Sequence, residues 1–311
     1  MSASARVTRY HGEAAVTLAA GTLAAGTLEF TVLPDVGMLG VSLRHDGEEL
    51  LALPHGVAGY RAGHSTGLPF LAPWANRLSR WSYKAAGVAV DLQGLPIHTD
   101  GDDHPMHGTM GAQPGWEILD LHGGSLRARF DFAAREDLLA SFPFPHEIVV
   151  DLGVDGTTLT VATTIRATGD RDVPVSFGFH PYLRLPRAPR PSWRLRLPDR
   201  RHVDLDEAGL PTGASEEEAA GWLTLGDDSF DDLFALGDDR SLVLEGGGRS
   251  VSVDLDVGYP YAQVYAPAGR RFCCLEPMTA PTDALVSGAH PSAPAGGSLT
   301  ARFSLTPRHT G

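Results

Sequence analysis

Apolar and polar positions alternate with period two along most of this chain, in runs broken by glycine-containing turns. That period belongs to half-buried strands. Residues 28–33 form one such run. Residues 41–51 read as a hairpin in which Asp46-Gly47 supplies the positive φ angles of a tight turn. Residues 116–121 and 126–132, joined through His122-Gly123-Gly124-Ser125, predict a second. The clearest hairpin is 148–154, Asp155-Gly156 and 157–165, where Thr158, Thr160 and Ala162 alternate with Leu159, Val161 and Thr163. Residues 242–245 and 251–257 flank Gly246-Gly247-Gly248, and 299–305 predict a closing strand. Helical periodicity is confined to two weak stretches, 135–141 and 216–223. The pattern predicts an all-β chain of large antiparallel sandwich or barrel type. Two proline-rich stretches, 186–191 and 291–297, could be linkers. Strand patterns of similar composition continue on both sides, so they read as loops within a single domain spanning 1–311.

Composition narrows the partners. The chain has 311 residues, 42% hydrophobic and 20% charged, and a net charge of −13. That balance argues against nucleic acid or an anionic membrane, both of which call for basic faces. The two cysteines, Cys273 and Cys274, are adjacent, point to opposite sides of a strand and cannot readily bridge each other. With no disulfide framework, no signal-type apolar segment in residues 1–26 and no run long enough to span a bilayer, a cytoplasmic protein is expected. Lys84 is the only lysine and lies in a polar segment, which disfavours Schiff-base chemistry. Phosphate-loop, dinucleotide, HExxH and CxxC motifs are absent from the sequence.

Five stretches interrupt simple alternation. Residues 272–279 form a short apolar strand carrying one acid, Glu276. It either reaches water at a strand end or serves as a base in a pocket. Pro73-Trp74-Ala75-Asn76-Arg77 places a fork of donors beside an aromatic face, or merely a surface turn with a salt bridge. His104 and His107 stand three apart, but no further ligands follow at a metal spacing. Gly108 could bring a ligand close to the backbone. His180, within Phe177-Gly178-Phe179-His180-Pro181-Tyr182, is either a satisfied core histidine or a tuned acid. Asp231 and Asp232, between Phe230 and Phe234, read as turn residues or as a hydroxyl acceptor at a pocket rim. Aromatic faces with charged hydrogen-bonding groups suit a neutral polyhydroxylated ligand.

These motifs, in this order, resemble the aldose 1-epimerase (galactose mutarotase) family, in particular its Pro-Trp-x-Asn-Arg branch. The matching residues are Pro73 to Arg77, His107-Gly108, Phe177 to Tyr182, Phe230 to Phe234 and Cys274-Leu275-Glu276-Pro277-Met278. The resemblance implies the galactose mutarotase-like supersandwich, with a sugar site on its concave face. It implies Glu276 as general base and His180 as general acid. Asn76, Arg77, His107 and Asp231 would contact substrate, beside Trp74 and Tyr182, with Asp232 an alternative to Asp231. It further implies interconversion of the α and β anomers of a free hexose without cofactor or metal, by a monomer or homodimer whose partner is a monosaccharide. A hexose-6-phosphate 1-epimerase would need extra cations, for which Arg61, Arg80 and Arg184 are candidates. A glycoside hydrolase using Glu276 and Asp231 would leave His180 surplus, and a sugar-binding protein without turnover would need no base.

Overall fold

The alternating runs assemble into antiparallel ladders. The computed structural model describes residues 3–22 and 26–310, so part of the leading stretch, 1–2 and 23–25, lies outside the described residues. Nine strands form the broadest sheet, in the order Gly221–Thr224, Arg194–Leu197, Ser241–Gly246, Arg249–Val257, Ser298–His309, Thr158–Ala167, His146–Asp155, Ser125–Asp131 and Glu117–His122. The expected closing strand, Ser298–His309, lies in the middle of this sheet, between Arg249–Val257 and Thr158–Ala167. Threonine pairs bond across its ladder, Thr164 with Thr300 at 2.8 Å and Thr158 with Thr306 at 3.0 Å.

A second sheet carries the chemistry. Its path runs Pro211–Glu218, Arg200–Leu205, Phe230–Leu236, Tyr261–Ala266, Cys273–Met278, Gly178–Phe179 and Phe70–Leu71, with Tyr182–Leu183 also pairing to Cys273–Met278. A third, five-stranded sheet begins with Ser4–Tyr10 and Glu13–Thr22 and ends with Glu48–Glu49. All three sheets feed one core, which includes Val16, Phe30, Phe130, Val161, Phe179, Val264, Leu275 and Phe303. The proline-rich 186–191 loop is fastened to the second sheet. Arg190, nearly fully buried, donates to the carbonyls of Asp228 and Ala266 at 2.5 and 2.8 Å.

The stretch 216–223 is not helical. It forms the end of strand Pro211–Glu218 and the start of strand Gly221–Thr224. The reason lies across the ladder, where Arg200, Arg201 and His202 sit opposite Glu218, Glu217 and Glu216. Opposite charges on facing strands stabilise the pairing that the acidic run would otherwise oppose. The other weak candidate does form a short helix, Glu136–Leu139.

His146 shows what burial does to an imidazole here. It stacks on Phe132 at 4.3 Å, its Nδ1 lies 2.6 Å from the Phe144 carbonyl, and burial pushes it down to about 4. The unfolded imidazole binds its proton near 6.5, so stability is lost as pH falls from 6.5 toward 4, by roughly 3 kcal/mol from this residue. Urea unfolding of His146→Phe at pH 7 and pH 4.5 should show a weaker loss on acidification than the natural protein. An unchanged loss would mean that this imidazole does not govern that window.

Candidate active site

Pleat alternation sets out the site on strand Cys273–Met278. Cys273 and Leu275 belong to the main core. Cys274, Glu276 and Met278 therefore face the other way. Register carries that face across the sheet, because Gln263 pairs with Glu276, Tyr265 with Cys274, and Asp231 with Tyr265. The same rule separates the two aspartates. Asp231 lines a cavity with Glu276, whereas Asp232 points oppositely and bonds His202 Nε2 at 3.1 Å.

That cavity, about 200 Å³, is walled by Glu276, His180, Tyr182, Gln263, Tyr265, Asp231, Asn76, Arg77 and His107, with His55, His64, His98 and Ser65 also in its lining. Glu276 does not reach bulk water. It is 3% exposed, and its carboxylate oxygen lies 3.2 Å from His180 Nε2. Burial raises the Glu276 carboxyl well above the usual carboxylate range and pushes His180 down to about 3. Low-polarity surroundings disfavour net charge, so the pair is favoured as a unit holding one proton between its two atoms. Tyr182 stacks flat on the His180 ring, 4.5 Å away and tilted by 7°. Phe177 and Phe179, which precede His180 in sequence, turn into the main core.

The opposite wall is loop, and its two key residues hold each other. Asn76 and His107 both have left-handed backbones, with φ of 59° and 60°. The Asn76 N–H donates to His107 Nδ1 at 3.2 Å, and the His107 N–H donates to the Asn76 carbonyl at 3.0 Å. Burial lowers the His107 pKa well below its ordinary value. With Nδ1 accepting, the neutral ring carries its proton on Nε2, available to a ligand oxygen. The Asn76 side chain is turned to its neighbour, since Oδ1 accepts from the Arg77 backbone and from Arg77 Nη1 at 2.9 and 3.1 Å. Arg77 also donates from Nε to Asp100 at 2.8 Å and lies 3.6 Å from Asp231.

Two expectations from sequence are corrected. Trp74 offers no face to a ligand. It is 0% exposed within the main core, where the segment is tied to Ser176, and it does not line the cavity. Gly108 does not line the Glu276 cavity either. A Cβ there would fall 2.2 Å from the Ala72 carbonyl oxygen, so the constraint is backbone against backbone. His104 and His107 diverge, His104 standing 3.5 Å from Asp100. Sequence reasoning missed His55, His64, Ser65 and His98 in the lining, and three residues that hold or wall the site more closely. Gln263 donates to Asp231 at 2.6 Å, Tyr265 walls the cavity, and Asp100 holds Arg77. Register against Glu276 would have marked the first two. Nothing in the acidic 100–103 stretch marks the third.

A model of the aldose 1-epimerase family matches residues 27–306. Several solved structures share the fold. A galactose mutarotase-like protein from Clostridium acetobutylicum superposes with a TM-score of 0.83 at 18% identity, over 99% of each chain. A putative aldose 1-epimerase from Escherichia coli K12 gives 0.73 at 21% identity, covering 91% of this chain and 97% of its own. Galactose 1-epimerase from Lactobacillus acidophilus gives 0.73 at 13% identity, over 99% of each. No curated protein matches the sequence.

Asp100 should matter to ligand binding although it does not line the Glu276 cavity. Beyond Arg77, it accepts from the backbone of Asp102 and His104 at 3.0 and 2.9 Å, which fixes its carboxylate in place. In calorimetric titration with a monosaccharide, Asp100→Ala should weaken binding about tenfold, equivalent to roughly 1.4 kcal/mol. Unchanged affinity would remove Asp100 as the residue that orients Arg77.

Proposed function

The chain belongs to the aldose 1-epimerase family, and from that membership we propose that it interconverts the α and β anomers of a free hexose by acid–base ring opening, without a cofactor. The observation that supports this most is the contact between Glu276 and His180, 3.2 Å apart and both buried, at the wall of a cavity lined with hydroxyl-binding groups.

The reaction runs through the carboxylate–imidazolium tautomer, the minority form of a pair whose single proton burial favours on Glu276. Glu276 takes the proton from the C1 hydroxyl while His180 delivers its own to the ring oxygen. The bond from C1 to the ring oxygen breaks and an aldehyde forms. The pair is now carboxylic acid and neutral imidazole, with the same net charge as before. After rotation about C1–C2 the former ring oxygen attacks the other face of the carbonyl and returns its proton to His180. Glu276 protonates the C1 oxygen at the same time. The site emerges unchanged, and no step needs exchange of protons with solvent. Each positioned group contributes on the order of 10²–10⁴-fold. Asp231 and Gln263 suit hydroxyls as acceptor and donor, His107 offers its Nε2–H, and Tyr265 presents a face to C–H groups, whereas Tyr182 has one face taken by His180.

The charge around the cavity favours an unphosphorylated sugar over the hexose 6-phosphate. Among the described residues Arg77 is the only lysine or arginine in its lining, and Asp100, Asn76 and Asp231 already engage it. None of the other candidates lines the cavity. Arg61 pairs with Glu13, Arg184 donates to the Glu49 carbonyl, and Arg80 is exposed and outside the cavity lining. Against a glycosidase stands His180, for which the two-carboxylate mechanism has no use. Turnover, rather than binding alone, is favoured by the burial of an acid that mere binding would not require.

Polarimetry of freshly dissolved α-glucose and α-galactose should show accelerated mutarotation, with glucose 6-phosphate a poorer substrate. Glu276→Gln should lose about 10²–10⁴-fold. No acceleration with any of the three sugars would overturn the assignment, and a fully active Gln variant would remove Glu276 as base. The pH profile offers a further check. Unperturbed Glu and His would confine activity to roughly pH 4.3–6.5. A pair whose two pKa values burial moves apart should give a broader plateau, with its acid limb below that window and its alkaline limb above it. A narrow bell inside the window would contradict the one-proton pair.

A further inference from the structure

Cys274 takes no part in these proton transfers, yet its thiol shares the face of Glu276. One sulfur, one imidazole nitrogen and one carboxylate oxygen, from Cys274, His180 and Glu276, all lie within 4.8 Å of one another. All three residues are buried, at 0%, 6% and 3% exposure. These are the donor types that zinc accepts, in a tetrahedral set whose fourth position can stay open. Among the described residues one other such group occurs, His45, Asp46 and His309, but it holds no thiol and two of its members are exposed.

We propose that Cys274, His180 and Glu276 form an inhibitory site for zinc or another thiophilic divalent ion, with the fourth position facing the sugar cavity. The metal would take the lone pairs that the reaction needs. Glu276 could no longer accept the C1 hydroxyl proton, and His180 could no longer carry one to the ring oxygen. On binding, the thiol proton and the proton shared by Glu276 and His180 pass to solvent, and no bond other than metal coordination forms. Donors at about 2.0–2.3 Å from a tetrahedral zinc stand roughly 3.3–3.8 Å from one another. Closing from 4.8 Å asks for side-chain adjustment, not movement of the sheet. Access is through the cavity, whose wall includes both Glu276 and His180. Sugar and metal would therefore exclude each other. The inhibitory consequence rests on the mutarotase reading, but the metal site itself does not.

The neighbouring thiol provides a control. Cys273 is equally buried but packs in the main core, on the opposite face of the strand. Cobalt(II) titrated into the reduced, metal-free protein should produce one equivalent of thiolate-to-cobalt charge-transfer absorbance. The band should disappear in Cys274→Ser and Cys274→Ala and persist in Cys273→Ser. Zinc should displace the cobalt, and in polarimetry should inhibit competitively with sugar. Cys274→Ser should keep the basal rate and need at least about tenfold more zinc for the same inhibition, the lower end of what disturbing even an outer-shell ligand costs. Absence of the band in the natural protein overturns the proposal without reference to any variant's folding. So does a band that survives in both Cys274 variants, or one lost in Cys273→Ser alone. A Cys274-dependent band in a protein that does not accelerate mutarotation would support the metal site and remove the catalytic reading.

Discussion

An acid and an imidazole, 3.2 Å apart and both shut away from water, set the terms for the rest of this molecule. Taking either one alone into such a place as an ion would cost several kcal/mol. Each lowers that cost by giving the other somewhere to put a proton. The sheet must then bring the strand that carries Glu276 and the strand that leads into His180 very close. Gly178, on the strand just before His180, makes this possible, because a Cβ there would lie 2.7 Å from the Pro277 carbonyl oxygen. Backbone contact at that point is thus a condition for side-chain contact two residues further on.

The two walls of the cavity are held by different physics. On the sheet side, orientation follows from pleat and register, so Asp231, Gln263, Tyr265 and Glu276 are aimed by a hydrogen-bonded lattice that few local changes could turn. On the loop side there is no lattice. Asn76 and His107 replace it with a reciprocal pair of hydrogen bonds between two left-handed residues. Such conformations are costly for non-glycine residues and persist where the surroundings enforce them. Asp100 completes the arrangement by binding Arg77 from behind and the 102–104 backbone at once.

Sequence and structure agree where one face of a strand is buried and the other is not. The 148–165 hairpin reads directly, because its burial alternates along both strands, Val149 excepted. The run Glu13–Thr22 escapes that test, since seven consecutive residues within it are buried and no alternation remains to be seen. The acidic 216–223 stretch misled because its partners, Arg200 to His202, stand earlier in the chain and only the ladder brings them opposite. For the site, the residues that motif order picked out line the cavity, apart from Trp74, but Gln263, Tyr265, His55, His64 and His98 line it without belonging to any motif. An aromatic beside a polar pair looks the same in sequence whether it faces a ligand or the core. Asp100 was invisible for a related reason. What it does depends on a guanidinium twenty-three positions away, and its local context is an ordinary polar loop.

The division of strand Cys273–Met278 into a core face and a cavity face limits how this protein can evolve. Insertion of a single residue just before Glu276 would shift everything after it by half a period relative to what precedes it. Glu276 would turn to the core face and the inserted residue would take its place at the cavity wall. A change of two residues would keep the faces while shifting the register. Length variation should therefore collect in the turn between Tyr261–Ala266 and Cys273–Met278, where residues 269–271 are exposed. Within the strand itself, descendants of this chain can change side chains far more readily than they can change its length.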